Sequence, residues 1–386
     1  MGAGLYLGLV QWLFAATWTI YVAFLPQLAA GAGIERKWVI WILMLDQVLF
    51  ALMDLALGIA ADRVAAGMRK LAGPIVMVSA LSCLAFLLLP HAAAPALLIL
   101  LVVVWSVTSS VLRAPPMVLI ARHAPQSQAP FLARLSLLGL GVAGAFAPAL
   151  TSALRGIDPR APFALASIGL LAAVACLGWC ERKLDRAAAR PAIPAAVGTQ
   201  VWGAGLVSAV ALLALGFQIH TGVNSAPAYL RVAPPASLDQ LMALFWVGFA
   251  VAIVAVGALA RRFGAAPVLV SGAALGALAM AGVAISGQLA GVVAAQVAAG
   301  VAWALVVGCA VPAAMDAGRT GREGRNTGLV FSALAAAAFL RLSLVAAELN
   351  KSPDSAGVLI WLPAALWAGA ALLCGLLAWR ARPRPA

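Results

Sequence analysis

Gly58-Ile59-Ala60-Ala61-Asp62-Arg63-Val64-Ala65-Ala66-Gly67-Met68-Arg69-Lys70 is the stretch whose reading decides the fold. It is a short polar, basic turn between two apolar runs, each long enough to cross a hydrocarbon core about 30 Å thick, which takes about 20 residues of helix. The pattern of apolar run, charged turn, apolar run repeats along all 386 residues. With 65% hydrophobic residues, 10% charged residues and a mean hydropathy of +1.05, the chain is too apolar for a soluble domain of this length. Only helices and closed barrels satisfy the backbone in lipid. The runs are continuously apolar and do not alternate, so they predict helices. Twelve spans follow, at roughly 5–30, 38–61, 71–90, 95–120, 131–153, 161–180, 201–228, 238–260, 267–286, 288–316, 326–349 and 356–380. The N-terminus lacks a basic n-region and its apolar run is too long for a cleaved leader, so it is kept as the first span.

Charge orients these spans. Of the 25 Lys and Arg, only Arg36, Lys37, Arg155, Arg160, Arg231 and Lys351 fall in loops on one side, and Arg113 and Arg341 fall inside spans. The remainder sit on the side of the two termini, and the positive-inside bias makes that side cytoplasmic. The net charge of +13 therefore belongs mostly to one membrane face. Spread thinly over short loops, it points to anionic lipid headgroups as partner and away from nucleic acid. Residues 181–200, with Arg182, Lys183, Arg186, Arg190, Pro191 and Pro194, form the one internal linker. It separates an N-terminal six-helix bundle (1–180) from a C-terminal one (201–386) that ends in a short basic tail. Gly58-x-x-x-Asp62-Arg63 recurs as Gly257-x-x-x-Arg261-Arg262, and Pro26 as Pro227, both at an offset of about 200 residues. All five cysteines lie within spans and read as small apolar packers, with no disulfide framework.

The Gly58-x-x-x-Asp62-Arg63 turn, followed by Gly67 and the Arg69-Lys70 pair, resembles the loop between spans two and three of the major facilitator superfamily. Here one extra residue separates the Asp-Arg pair from the glycine. Arg113 on span four resembles part of that superfamily's antiporter motif, although Ala114-Pro115-Pro116 stand where the motif has Gly. Gly139, Gly141, Gly144 and Pro148 on span five resemble a reduced form of its antiporter signature; close helix packing is the competing reading of the same residues. The resemblance implies an all-α polytopic membrane protein with twelve helices in two pseudo-symmetric bundles, and a solute site near the midplane between them.

Ionisable and polar groups inside the spans are the candidate site, because each is expensive in lipid unless paired or hydrated. Asp54 and Arg113 fall at similar depth in the first half. They read as a structural ion pair, as separate solvated contacts within one bundle, or as groups with a role in proton coupling, with Asp54 the coupling candidate. Span seven carries Gln218, His220, Thr221, Asn224 and Ser225, whose two polar faces cannot both meet lipid. His220 is either a hydrogen-bonded packing residue or a second coupling candidate beside Asp54. Gln11 and Trp18 share one face of span one. Candidate solute-binding residues are thus Gln11, Trp18, Arg113, Gln218, His220, Asn224 and Arg341. Candidate gating residues are Asp62 and Arg63 at the cytoplasmic loop, and Asp46 with Arg341, each about eight residues (12 Å) from the outer end of its span. The competing reading satisfies Asp46 and Arg341 within their own bundles, Arg341 through Glu348.

No nucleotide-binding loop, metal-binding run or catalytic triad is present, so no enzyme activity, cofactor or metal is expected and energy should come from a gradient. The expected function is a proton-coupled secondary transporter of a small organic solute, anionic or zwitterionic, acting as a monomer in a bacterial inner membrane. Efflux of amphipathic compounds, and a non-transporting sensor or assembly factor, are the alternatives.

Overall fold

A computed structural model describes residues 2–68, 70–125, 127–185, 199–318 and 321–380. Arg69 and most of the expected linker, including Arg186, Arg190, Pro191 and Pro194, lie outside these residues. Among the described residues are twelve helices long and apolar enough to cross a membrane. They are α1 (Gly2–Gly31), α2 (Arg36–Gly67), α3 (Ala72–His91), α4 (Pro95–His123), α5 (Ala129–Ala153), α6 (Arg160–Leu184), α7 (Gly205–Leu230), α8 (Pro235–Phe263), α9 (Ala265–Ile285), α10 (Leu289–Ala317), α11 (Glu323–Ala346) and α12 (Ser355–Arg380). The expected break at Ser286-Gly287-Gln288 is the turn between α9 and α10. Helix α6 continues through Glu181 to Leu184, so the first residues assigned to the linker are helical. Odd-numbered helices start on the face of the termini, called here the basic face.

Two helix pairs make the most extensive contacts between the halves of the chain, α2 with α11 and α5 with α8. Small residues let them approach. A Cβ at Gly58 would collide with the carbonyl oxygen of Gly324, and one at Gly328 would meet the backbone of Asp54 and Leu55. With no side chain at these crossings the two backbones touch, the usual device where lipid offers no hydrophobic drive for helix association. In the second pair Gly141 and Gly144 receive the rings of Phe249 and Trp246 from α8, while Gly139 packs on the α1 backbone at Gly8. The α5 glycines therefore serve close packing. Gly257, the repeat counterpart of Gly58, leaves room for the Arg134 guanidinium, whose Nε donates to the carbonyl of Gly308 on α10 at 2.9 Å.

Two helices break where proline removes a backbone donor. Pro115 and Pro116 interrupt α4, which passes through a 3-10 turn at Ser110–Leu112 before resuming at Ala114. Pro116 cannot donate to Leu112 O, and Gln11 Nε2 from α1 supplies that bond at 2.5 Å. Pro227 acts similarly on α7, where residues His220–Asn224 form a π-helical turn. There the Ser225 hydroxyl donates to the carbonyl of His220 at 2.8 Å.

Candidate functional site

The sequence candidates separate into three layers through the membrane. On the basic face, Asp62 at the end of α2 accepts from the backbone N–H groups of Gly324 (2.8 Å) and Arg325 (2.9 Å), at the first turn of α11. A carboxylate at a helix N-terminus satisfies otherwise unpaired donors and meets the positive end of the helix dipole. Arg122, at the end of α4, lies 3.2 Å from Glu323 and 4.0 Å from Asp62. Together with the Gly58–Gly324 crossing, these bonds hold the two halves together on the basic face. Arg63 is exposed and is not among the groups that make these contacts.

In the middle layer Asp54 is completely buried, with one carboxylate oxygen 3.0 Å from Arg113 Nη1. Arg113 is its charged partner, and the Ser110 side chain lies close enough to support the carboxylate as well. Arg113 occupies the break in α4. Its guanidinium lies 5.3 Å from the centre of the Phe50 ring and 5.5 Å from that of Phe331. Phe50 belongs to α2 and Phe331 to α11, so one wall of the ion pair comes from each half. Beside it, Ser332 donates to the carbonyl of Ala51 at 2.6 Å. Sequence reasoning did not single out Phe331 or Phe50; nothing sets a phenylalanine apart in a chain with 13 of them.

Asp46 lies one layer further toward the opposite face. It is fully buried and accepts from Tyr21 Oη at 2.6 Å and Ser106 Oγ at 2.7 Å, both from the first six helices. Around it Trp18, Tyr21, Phe50 and Trp105 form one aromatic cluster, with Trp18 stacked on Trp105 at 5.9 Å between ring centres. Arg341 donates from Nε to Gln218 Oε1 at 3.0 Å, and its side chain lies against Gly222 in the π-helical turn. The expected alternative partner of Arg341 was Glu348, and the structure corrects it. Glu348 lies past the end of α11 at φ 56 and bonds Lys351 at 2.7 Å, which holds its carboxyl below the usual range. Asp46 and Arg341 are thus each bonded within their own half.

His220, Asn224 and Ser225 on the same span take partners other than Arg341. His220 is 1% exposed and its Nε2 is 3.0 Å from Gln296 Oε1 on α10; Gln296 in turn donates to Ser225 Oγ at 2.9 Å. Asn224 donates to the carbonyl of Leu359 on α12 at 2.8 Å. The structure therefore brings together Asp54 with Arg113, and Gln218 with Arg341. It places Gln11 in the repair of α4, and His220 and Asn224 inside the last six helices. Gln296 was missed, although it is an isolated polar residue in an otherwise apolar run; that signal was available in the sequence.

The model of the Major Facilitator Superfamily matches residues 7–342. Curated proteins give no match to the sequence. Among solved structures, the human organic anion transporter MFSD10 (TETRAN) is similar with a TM-score of 0.73 at 14% identity, covering 96% of this chain and 98% of that one. A bacterial homologue of the iron transporter ferroportin, in an outward-facing state, gives 0.73 at 15% identity over 98% of this chain and 100% of that one. The transporter FucP, in the outward conformation, gives 0.67 at 13% identity over 98% of both chains. At these identities the likeness concerns the fold.

Proposed function

The chain belongs to the major facilitator superfamily, a family of membrane transporters, and from that premise we propose that it is a proton-coupled secondary transporter of a small organic anion or zwitterion. The observation that carries this reading is the Asp54–Arg113 pair. A carboxylate fully buried at mid-membrane beside a single cation is an expensive arrangement to keep for packing alone. Protonation of Asp54 would release Arg113 for a solute carboxylate, and solute release would return Arg113 to Asp54. The Asp54 carboxylate and the solute carboxylate then compete for one guanidinium, so proton and solute bind together, which is the differential interaction that coupling needs. Phe331 from the other half covers the pair, so access to it changes when the halves separate.

We place the basic face in the cytoplasm, on the positive-inside bias. The bonds of Asp62 and Arg122 to α11 then correspond to a state closed toward the cytoplasm. Alternating access would break them and open the α2–α11 crossing as the two bundles, 1–180 and 201–386, rock about the midplane in a bacterial inner membrane. Arg341, presented by Gln218, is the cation of the second half available to an anionic solute. Trp18 and Gln218 are the polar or aromatic groups we assign to solute contact, and Gln11 supports the position of Arg113 through α4.

The test is solute-induced proton flux. Purified protein in liposomes loaded with a pH-sensitive dye is screened against small carboxylates, amino acids and neutral sugars. Acidification on addition of an anion or zwitterion, and its absence with neutral sugars, is the expected result. Saturable uptake of a solute with no proton movement would overturn the coupling and leave a facilitator.

A further inference from the structure

We propose that the last six helices contain a second binding site, separate from the path between the halves, for a small amphipathic monoanion of the medium-chain carboxylate type. A cavity of about 160 Å³ lies between α7, α9 and α12 and is lined by residues of the last six helices alone. It reaches the opposite face between the loops that carry Arg231 and Asn350. One water needs at least about 10–15 Å³ of such space, so the cavity has room for roughly ten or more non-hydrogen atoms.

Its chemistry is graded from mouth to floor. At the mouth is Arg231, whose Nη2 donates to the carbonyl of Val283 at 3.2 Å. That bond fixes one edge of the guanidinium and leaves the rest of its donor fork to meet an anion. Asn350 adds an exposed amide beside it. The described lining contains no carboxylate to compete with a negative ligand. Below the mouth the walls are apolar, formed by Met280, Val283 and Leu359 among others, and His220 lies at the inner end.

The shape follows from the sequence of α7. Pro227 forces the π-helical turn at His220–Asn224, and Asn224 is pulled onto the carbonyl of Leu359 on α12. A cation above an apolar slot of this size fits a carboxylate head with a chain of six to eight carbons, by the rule that ligand pockets are apolar with a few placed polar groups. Such a head and chain can belong to a free amphiphile or to an anionic lipid entering from the bilayer.

Isothermal titration of the full chain in phosphatidylcholine nanodiscs, with empty nanodiscs subtracted, tests the site with octanoate, octanol and octylamine. Octanoate should bind at least about tenfold more tightly than the other two. Arg231→Gln should weaken octanoate about tenfold, Ala284→Phe should remove this Arg231-dependent binding by filling the cavity, and Arg341→Gln should leave that component unchanged. Ala356→Leu fills the slot from α12 and replaces Ala284→Phe if that variant does not fold. Equal binding of octylamine, undiminished binding in both Arg231→Gln and the filled variant, or loss of binding in Arg341→Gln would overturn the proposal. Repeating the titration with phosphatidylglycerol in the disc identifies the source: competition with octanoate assigns the site to a lipid anion, and its absence to a free amphiphile. The readout is binding, so the result stands whether or not the chain moves protons.

Discussion

The two halves of the chain share one plan of six helices but spend their buried polar groups differently. At membrane depth the first half keeps ionisable carboxylates: Asp46 held by Tyr21 and Ser106, and Asp54 beside Arg113. The second half keeps neutral networks, His220–Gln296–Ser225 and Asn224–Leu359 O, together with one cation, Arg341, held by a neutral amide. A neutral network is satisfied by hydrogen bonds alone, whereas a buried carboxylate costs several kcal/mol unless it is paired. The difference teaches where proton chemistry can reside: in the half that already bears that cost. The second half, with a cation and no carboxylate at that depth among the described residues, is suited to meeting an anion.

The largest expected effect separates Asp54 from His220. Asp54→Asn should reduce pH-gradient-driven accumulation at least about a hundredfold while solute exchange between equal compartments continues. His220→Gln, which can still bond Gln296, should accumulate solute within about twofold of the parent. Counterflow and gradient-driven uptake in liposomes measure both. Loss of coupling in His220→Gln with coupling intact in Asp54→Asn would reverse the assignment of the halves.

Arg341 gives the next effect. A hydrogen bond to a charged group is worth about 1.5–3 kcal/mol, so Arg341→Gln should raise the apparent solute KM about 10- to 100-fold for an anion, with kcat much less affected. An unchanged KM would remove the second half from solute recognition.

Two carboxylates on the basic face sharpen the contrast between halves into one between interfaces. Asp62 caps α11 across the two halves, while Glu181 on α6 accepts from the backbone of Leu71 and Ala72, at 2.5 and 3.3 Å, within the first half. Loss of such a cap costs about 1 kcal/mol. In Asp62→Asn that loss should favour opening of the basic face, read as roughly five- to tenfold faster labelling of a cysteine placed at Thr327 on α11. Glu181→Gln should lower the melting temperature by a few degrees without changing the labelling rate. Equal labelling in the two variants would make both bonds purely structural.

The smallest effect concerns Asp46 and Arg341. Each has partners within its own half, so the cost of Asp46→Asn plus Arg341→Gln in transport should be additive within about 0.5 kcal/mol. A coupling of about 1 kcal/mol or more would show that they meet at another stage of the cycle and form the outer gate expected from their matching depths.

The sequence by itself determined that this chain crosses a membrane twelve times, because apolar length and backbone satisfaction in lipid leave no other solution. It also carried the repeat of about 200 residues, the family motif at Asp62 and the similar depth of Asp54 and Arg113, while their 3.0 Å contact is visible only in the structure. Only the tertiary structure decided which neighbour each remaining polar group takes. Gln11 could not be read as the substitute donor for Pro116, because that bond joins α1 to a break in α4 that forms about 100 residues later. Arg341 was matched to Glu348 by helical spacing, yet the helix ends between them and Gln218, on a different helix, lies closer in space. Partner choice across helices depends on their rotation and crossing, which packing of the whole set fixes. Hydropathy and spacing along one helix carry no record of it.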